Sequence, residues 1–517
     1  MSLSSARTLA ELLARRAAEQ PDATAVVDGE VRLSNTELQQ RVQATARALI
    51  AAGVAPGDRV ATLAPPSADF WITFLAAGSV GALWQGLNPK YQRNEYAYLL
   101  GDAKPKVVFA RTEFDGRHYL DELRLLGNAD TVFVALGEEA LGLEHAFVAT
   151  GRSVSCLELQ RREQAVREED PAVIVYTSGT TGQPKGAMLS HRAIVQTALT
   201  HVRAIGEGLD CTLCPAPINH VGALNNVCMV VFAAGGRIVF VPKVDLALIA
   251  AATAREKPSY LVGSPTAWAM MLALPGFSFE AYRGLYQVVV FGGAATPLAH
   301  VRELRKSGAR LSSVYGQTET TGMVTYTRFD APDEVVAETI GRPIDGMEVR
   351  IATPEGQPLP AGEVGEIQMR GISVMSGYFD RHDATREAFT PDGWLKTGDL
   401  GVLRPDGEIA FTGRLKEMFK SGGYNCYPVE IEQAICEHPA VAQAAVVAVP
   451  HPTFQEVGHA FVVARPGRHI DTAEVVAFLR ERIANYKVPK TWTVVEAMAS
   501  LPNGKVDKRA MRELLDA

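Results

Sequence analysis

At 517 residues the chain is longer than one ordinary hydrophobic core supports, so two or more domains are expected. Its composition, 47% hydrophobic and 21% charged, is that of a globular protein, and a formal net charge of -7 without a basic run argues against nucleic acid and anionic membrane as partners. Six cysteines, scattered at 156, 211, 214, 228, 426 and 436, make no disulfide framework, and the close pair Cys211-Thr-Leu-Cys214 reads as a buried strand rather than a zinc or redox site.

In chain order, Met1 to Gln20 sets Arg7, Glu11, Arg15 and Arg16 among leucines and alanines, an amphipathic helix without the features of a signal peptide. The apolar window Phe70–Trp84 is short for a membrane span, and Gly78 and Gly81 suit a packed core helix. No membrane span and a cytoplasmic setting are expected. Short apolar runs recur at Thr24–Val27, Arg59–Leu63, Lys106–Phe109, Thr131–Ala135, Ala172–Tyr176, Arg237–Phe240, Ser259–Val262 and Gln287–Phe291. Helix-length segments such as Asn35–Ala52 separate them, the pattern of an α/β fold with parallel sheets. After about residue 330 turn signals (Pro354-Glu-Gly, Pro360-Ala-Gly, Pro391-Asp-Gly, Pro405-Asp-Gly) punctuate a turn-rich antiparallel β region. The last stretch reads as a small α+β unit: helix Pro428–Glu437, strands Val441–Val449 and Gly458–Val463, helix Thr472–Ile483.

The most informative segment is Tyr176-Thr-Ser-Gly-Thr-Thr-Gly-Gln-Pro-Lys-Gly186, a loop following an apolar strand. Glycines admit close backbone approach to an anion, hydroxyls and N–H groups donate to its oxygens, and the lysine neutralises charge. The spacing of Gly179 and Gly182 from Lys185, with no Ser or Thr after the lysine, departs from the Walker pattern. It predicts a phosphate site with a chemistry other than that of P-loop hydrolases.

Four more blocks follow: Tyr315-Gly-Gln-Thr-Glu-Thr320, Gly393-Trp-Leu-Lys-Thr-Gly-Asp399, Gly413-Arg-Leu-Lys416 and Asn503-Gly-Lys-Val-Asp507. In this order, and over nearly the whole chain, the set resembles the adenylate-forming superfamily of acyl- and aryl-CoA synthetases, peptide-synthetase adenylation domains and firefly-type luciferases. The resemblance implies a large N-terminal domain, 1–413, and a small mobile C-terminal domain, 414–517, with a hinge at Lys416. It also implies ATP, Mg²⁺ and coenzyme A as reactants and cofactors. Thr177, Ser178, Gly179, Thr180, Thr181, Gly182 and Lys185 then hold the β- and γ-phosphates. Thr318 meets the α-phosphate, and Glu319, with Thr180, holds Mg²⁺, a hard cation suited to oxygen ligands. Tyr315 and the backbone of Gly292, Gly293 and Ala294 enclose the adenine, with Gly316 and Gln317 beside them. Asp399 and Arg414 take the ribose. Lys505 bridges the carboxylate and the α-phosphate, an ammonium between two anions that must meet.

For the thioester step, Lys420, Gly422, Gly423 and Asn425 border the pantetheine tunnel. Phe454 and Tyr486 stack on the CoA adenine, and Lys487 or Lys490 meets its phosphates. The acyl pocket falls to His220, Val221, Gly222, Asn225, Ala267, Gly292, Gly316, Thr321, Gly322 and Met323, with His220 in a catalytic role, gating the acyl site or meeting the carboxylate, and Asn225, Asn226 and Thr321 available to a polar substituent. Asn219 stands where the family usually has an aromatic before the histidine. His220, Val221 and Gly222 occupy positions where amino-acid-activating relatives carry an aspartate, which disfavours an α-amino acid. Ala269, Met270 and Met271 replace the arginine of malonate-type relatives, and an unpaired second carboxylate in an apolar pocket is costly. The expected reaction is ATP-dependent ligation of an apolar monocarboxylic acid (medium-chain, alicyclic or aromatic) to CoA, releasing AMP and pyrophosphate, by a monomer or homodimer. The alternative is an acyl-AMP ligase that loads an acyl carrier protein; a non-catalytic nucleotide-binding protein is disfavoured by the intact charged residues.

Overall fold

The structure is a computed structural model that describes residues 6–137, 141–177, 183–272, 274, 276–294, 296–421, 423–501 and 506–515. Among the described residues four large sheets organise the chain. A nine-stranded sheet runs in space through Arg342–Pro343, Gly322–Tyr326, Arg310–Gln317, Val288–Gly292, Tyr260–Gly263, Cys211–Cys214, Arg237–Phe240, Thr24–Asp28 and Val31–Ser34. A seven-stranded sheet orders Gly377–Tyr378, Lys185–Ser190, Pro171–Thr177, Leu83–Leu87, Arg59–Leu63, Val107–Arg111 and Val132–Leu136. The central strands of both are parallel, as the near-continuous Val/Ile runs require for strands covered on both faces. The eight apolar runs read from the sequence all lie in these sheets, each within a residue or two of its expected ends.

Local sequence explains the covering helices. Asn35–Ala51 starts at Ser34, whose hydroxyl accepts from Glu37 N while the Glu37 carboxylate returns to Ser34 N. Leu9–Glu19 starts on the same reciprocal cap, Thr8 with Glu11. Ala68–Ser79 is buried on every face, the core helix its apolar sequence predicts. Among the described residues no helix is long and apolar enough to cross a membrane. Arg16 departs from a simple amphipathic reading. It is buried, donates to Gly235 O at 2.9 Å and lies 5.6 Å from the Phe232 ring centre, and burial pushes its pKa down to about 10. Cys211 and Cys214 are buried on their strand, as expected.

The turn-rich region folds as a four-stranded antiparallel sheet, Met347–Ala352, Val364–Gly371, Leu395–Leu403 and Ile409–Arg414. The chain leaves it at Arg414, makes one turn, and enters a five-stranded sheet at Phe419. That sheet contains Tyr424–Cys426, Phe419–Ser421, Gln455–Ala464, Val441–His451 and Thr491–Val494, and it forms a smaller C-terminal domain with its own apolar core around Ile431, Val446 and Val462. Its helices are Pro428–Cys436 and Thr472–Arg480. Phe411 packs into the core of the large domain and Phe419 into that of the small one, with exposed Lys416 between them.

Candidate active site

The strand Arg310–Gln317 ends in a single tight helical turn, Thr318–Thr320, and Thr321 follows with a left-handed backbone, φ 58°. Tyr315, near the end of this strand, and Glu319, in the turn, stand four residues apart along one track. Tyr315 donates its hydroxyl to Asp399 Oδ2 at 2.6 Å, and Arg414, the cross-strand neighbour of Asp399, places Nε 3.4 Å from Oδ1. Burial and then the Asp399 charge push the Tyr315 phenol far up, so it stays a donor. Its ring is buried and tilted against Phe411, 6.2 Å between centres.

At the other end of the track, Glu319 Oε1 accepts a 2.8 Å hydrogen bond from Tyr378. The Lys185 ammonium stands 5.4 Å from the centre of the Tyr378 ring, within cation–π range. Burial, then the Glu319 charge, keeps this phenol protonated too. Lys185 opens the strand that pairs antiparallel with Pro171–Thr177, and Thr177 is its direct partner. Ser178, Gly179, Thr180, Thr181 and Gly182 lie outside the described residues, as do Gly422 and Lys505.

Close backbone approach explains several glycines. A Cβ on Gly292 would stand 2.3 Å from Val314 O, and one on Gly316 would stand 1.8 Å from Gly322 O. Gly293 has φ 86° and is exposed with Ala294 at the strand's end. Gln317 N donates to Thr320 Oγ1 at 2.9 Å, and Thr318 is half-buried beside it. His220 and Val221 lead into a π-helical segment, Gly222–Met229, and a Cβ on Gly222 would meet nothing within 4 Å. Ala267 lies on the helix Pro265–Leu272 and packs at the edge of the core around Trp268 and Phe291. Met323 is buried.

Asn225, Asn226 and Thr321 each give one polar atom to neighbouring backbone, while Asn225 Oδ1 stays buried without a partner among the described residues. Asn225 Nδ2 donates to Thr321 O at 2.8 Å, the Thr321 hydroxyl to Ser373 O at 2.6 Å, and Asn226 Oδ1 accepts from Met323 N at 3.1 Å. They knit the π-helix to the strand pair because buried backbone groups require partners. Asn219, where an aromatic was the norm, is 4% exposed and packs against Gly86, whose Cβ position lies 2.7 Å from its Cα.

In the C-terminal domain, Phe454 lies on His451, 5.0 Å between ring centres, whereas Tyr486 stacks on Tyr424 at 4.6 Å and 22°. Lys487 is paired with Glu430, and Lys490 donates to Asn485 O at 3.3 Å. Lys420, Gly423 and Asn425 are exposed on the hairpin that carries Tyr424. Sequence reasoning missed Tyr378 and the π-helix. Two asparagines inside an apolar helix-length run were the one available signal for the last.

The arrangement is a strand-and-turn edge with a tyrosine–aspartate–arginine cluster at one end and a lysine–tyrosine–glutamate cluster at the other. The AMP-binding enzyme family model matches residues 13–379, and that of the AMP-binding enzyme C-terminal domain matches 430–505. The chain belongs to the AMP-binding enzyme family. It is 35% identical over 98% of its length, and 98% of the relative's, to a 3-[(3aS,4S,7aS)-7a-methyl-1,5-dioxo-octahydro-1H-inden-4-yl]propanoyl:CoA ligase of Rhodococcus jostii. It is 33% identical to a feruloyl-CoA synthase of Amycolatopsis sp, covering 96% of this chain and 97% of that one. The crystal structure of ATP-bound MatB from Rhodopseudomonas palustris superposes with a TM-score of 0.84 at 31% identity, covering 98% of both chains. As a member of this family the protein is an AMP-forming acyl-CoA synthetase, with ATP and CoA as the substrates that fit.

Proposed function

We propose that this AMP-binding enzyme converts an apolar monocarboxylic acid (medium-chain, alicyclic or aromatic) to its acyl-adenylate and then to its CoA thioester. The observation that carries the nucleotide reading is the track from Tyr315 to Glu319. Its Asp399–Arg414 end offers a carboxylate acceptor to ribose hydroxyls, and its Lys185 end offers positive charge to phosphates. Both reactants of the first step are anions, so neutralising charge is the main demand. In this reading Lys185 and the loop of 177–182 hold the departing pyrophosphate, Thr318 meets the α-phosphate, and Lys505 joins the two reacting anions. Backbone around Gly292, Gly293, Ala294, Gly316 and Gln317 receives the adenine beside Tyr315. The Glu319 carboxylate, oriented by Tyr378, suits a hard cation such as Mg²⁺, with the Thr180 hydroxyl as a further oxygen. When bound, that ion supplies further neutralisation of phosphate charge.

The pocket reading rests on what is absent from its walls. No arginine stands among Ala269, Met270 and Met271, and Asn225 Nδ2 and the Thr321 hydroxyl are taken by backbone partners, which leaves Asn225 Oδ1 buried without one among the described residues. Gly222 faces open space, which leaves room for a ring or chain beside His220 and Val221. The relatives named for an octahydroindenyl propanoyl group and for a feruloyl group support cyclic acids. For the second step, residues 414–517 act as a lid that turns about Lys416, which is exposed in the turn between the two cores. Lys420, Gly422, Gly423 and Asn425 then border the thiol's path, with Phe454 and Tyr486 nearest the nucleotide end of CoA.

A pyrophosphate-release screen tests this. Octanoate, cyclohexanecarboxylate, benzoate and cinnamate are compared with malonate and phenylalanine, with mass analysis with and without CoA. Release with the apolar acids and a thioester only when CoA is present is expected. Adenylate without thioester, or a preference for malonate, refutes the assignment. Lys505→Ala should abolish adenylation yet leave thioester formation from supplied acyl-adenylate largely intact; equal loss of both refutes the lid's division of labour.

A further inference from the structure

Asp399, the carboxylate at the ribose end of the track, stands on an irregular stretch of its strand. Leu395–Leu403 pairs antiparallel with Val364–Gly371, and the register passes from Lys396 opposite Gln368 to Leu400 opposite Glu366. Thr397, Gly398 and Asp399 therefore face the single residue Ile367, a bulge that deprives backbone groups of ladder partners. Side chains replace them. Gly398 N donates to Glu366 Oε1 at 3.0 Å, Asp399 N to Thr397 Oγ1 at 3.1 Å, and the Thr397 hydroxyl to Ile367 O at 2.6 Å. Gly398, with φ 71°, also accepts at its carbonyl from Leu415 N at 2.9 Å, so the residue ahead of Asp399 is held on both sides. Glu366 is itself fixed. It is 8% exposed, its Oε2 accepts from Gln368 Nε2 at 3.1 Å, and the fully buried Gln368 accepts at Oε1 from Arg350 Nε at 2.8 Å. The Arg350 guanidinium in turn pairs with Asp392 and lies 4.5 Å from the centre of the Trp394 ring.

We propose that Glu366 is a positioning residue that holds this bulge in the form that aims Asp399 at the nucleotide sugar, and so sets the preference for a ribose over a sugar without hydroxyls. The inference rests on the ribose reading of Asp399. A bulge re-aims the side chain it carries, and a glycine at positive φ has many other conformations within reach. A fixed acceptor on its N–H removes those alternatives before the nucleotide arrives. A carboxylate suits the place because both of its oxygens accept, one from backbone and one from an amide. The order of the chain follows from chemistry. Arg350 only donates, so Gln368 must show it Oε1 and turn Nε2 to Glu366. Buried as they are, these groups have no ready exchange with water, so removing one acceptor disturbs the whole line.

Titration calorimetry with ATP and with its dideoxy analogue, which lacks both sugar hydroxyls, isolates their contribution, because the two ligands share base and phosphates. Each is titrated with Mg²⁺. Glu366→Met keeps the volume and removes the acceptor. It should weaken ATP about threefold to tenfold, the worth of one net hydrogen bond, and leave the dideoxy analogue near its parent affinity. Glu366→Gln turns a second donor toward the Gln368 amide and should lose preference likewise. The double variant Glu366→Gln/Gln368→Glu again gives every donor an acceptor and should restore the preference. If Glu366→Met does not fold, Glu366→Gln and the double variant decide the matter. A parent-like preference in the single variants overturns the proposal, as does a double variant no better than Glu366→Gln. An equal loss of both nucleotides overturns it too, since that would mark a merely structural role. Asp399→Ala separates the premises. If it erases the preference for ATP while the Glu366 variants do not, the positioning alone falls; if it leaves the preference intact, the ribose reading falls and the positioning with it.

Discussion

Gly322→Ala tests how the pocket wall is held. Gly322 has φ 102°, and a Cβ there would stand 2.2 Å from Asn226 Oδ1, the atom that accepts from Met323 N at 3.1 Å. No side chain tolerates that distance, so Asn226 must turn away and Met323, 1% exposed, must lose its acceptor. A left-handed alanine costs about 1–2 kcal/mol, and a buried unsatisfied N–H a further 1–3 kcal/mol or so. The expected loss is about 2–5 kcal/mol. Gly362→Ala is the matched control: φ is 93°, but nothing lies within 4 Å of its Cβ position, so strain alone remains. Urea unfolding followed by tryptophan fluorescence reads the difference, since Trp71, Trp84 and Trp268 are all buried in the large domain. A Gly322→Ala midpoint no lower than that of Gly362→Ala refutes the reasoning, for it would mean that Asn226 relaxes without cost. In the surviving fraction, KM for the acid should rise more than KM for ATP.

Two further outcomes follow from the same geometry. Tyr315→Phe strips a charged, buried acceptor of its 2.6 Å donor, so stability should fall by about 1.5–3 kcal/mol and ATP affinity with it; a urea midpoint at the parent value would contradict that bond. Asp69 is 1% exposed, and burial raises its pKa from 3.8 to about 6, with Arg111 and a Gly142 N–H at 2.9 Å opposing. Between those values the folded state binds the extra proton, so this group's contribution falls as pH rises through the window and the penalty is complete above it. Asp69→Asn removes the slope. Its stability relative to the parent should climb by up to about 3 kcal/mol between pH 4 and pH 7 in urea titrations, and parallel profiles would refute the shift.

The α/β architecture was legible because local physics writes it. Valine-rich runs between capped helices admit few arrangements other than covered parallel strands, and the runs at 59–63, 172–176 and 288–291 all became such strands. The blocks at 176–186, 315–320, 393–399 and 413–416 also declared which residues carry charge and hydroxyls, since those identities are covalent facts. What the chain could not declare was who answers whom. Tyr378 is 59 residues from Glu319, and Glu366 is 32 from Gly398. Each reads locally as an ordinary half-buried residue and gains its meaning only when the sheets bring the elements together. The same holds for Asn225, Asn226 and Thr321, each of which gives one polar atom to backbone distant in sequence or across the strand pair. Sequence by itself determined the fold class, the order of the motifs and the kind of chemistry, because these depend on residue type and local periodicity. Only the tertiary structure decided which polar atoms remain for a substrate, because hydrogen-bond satisfaction in a buried site is settled by non-local neighbours.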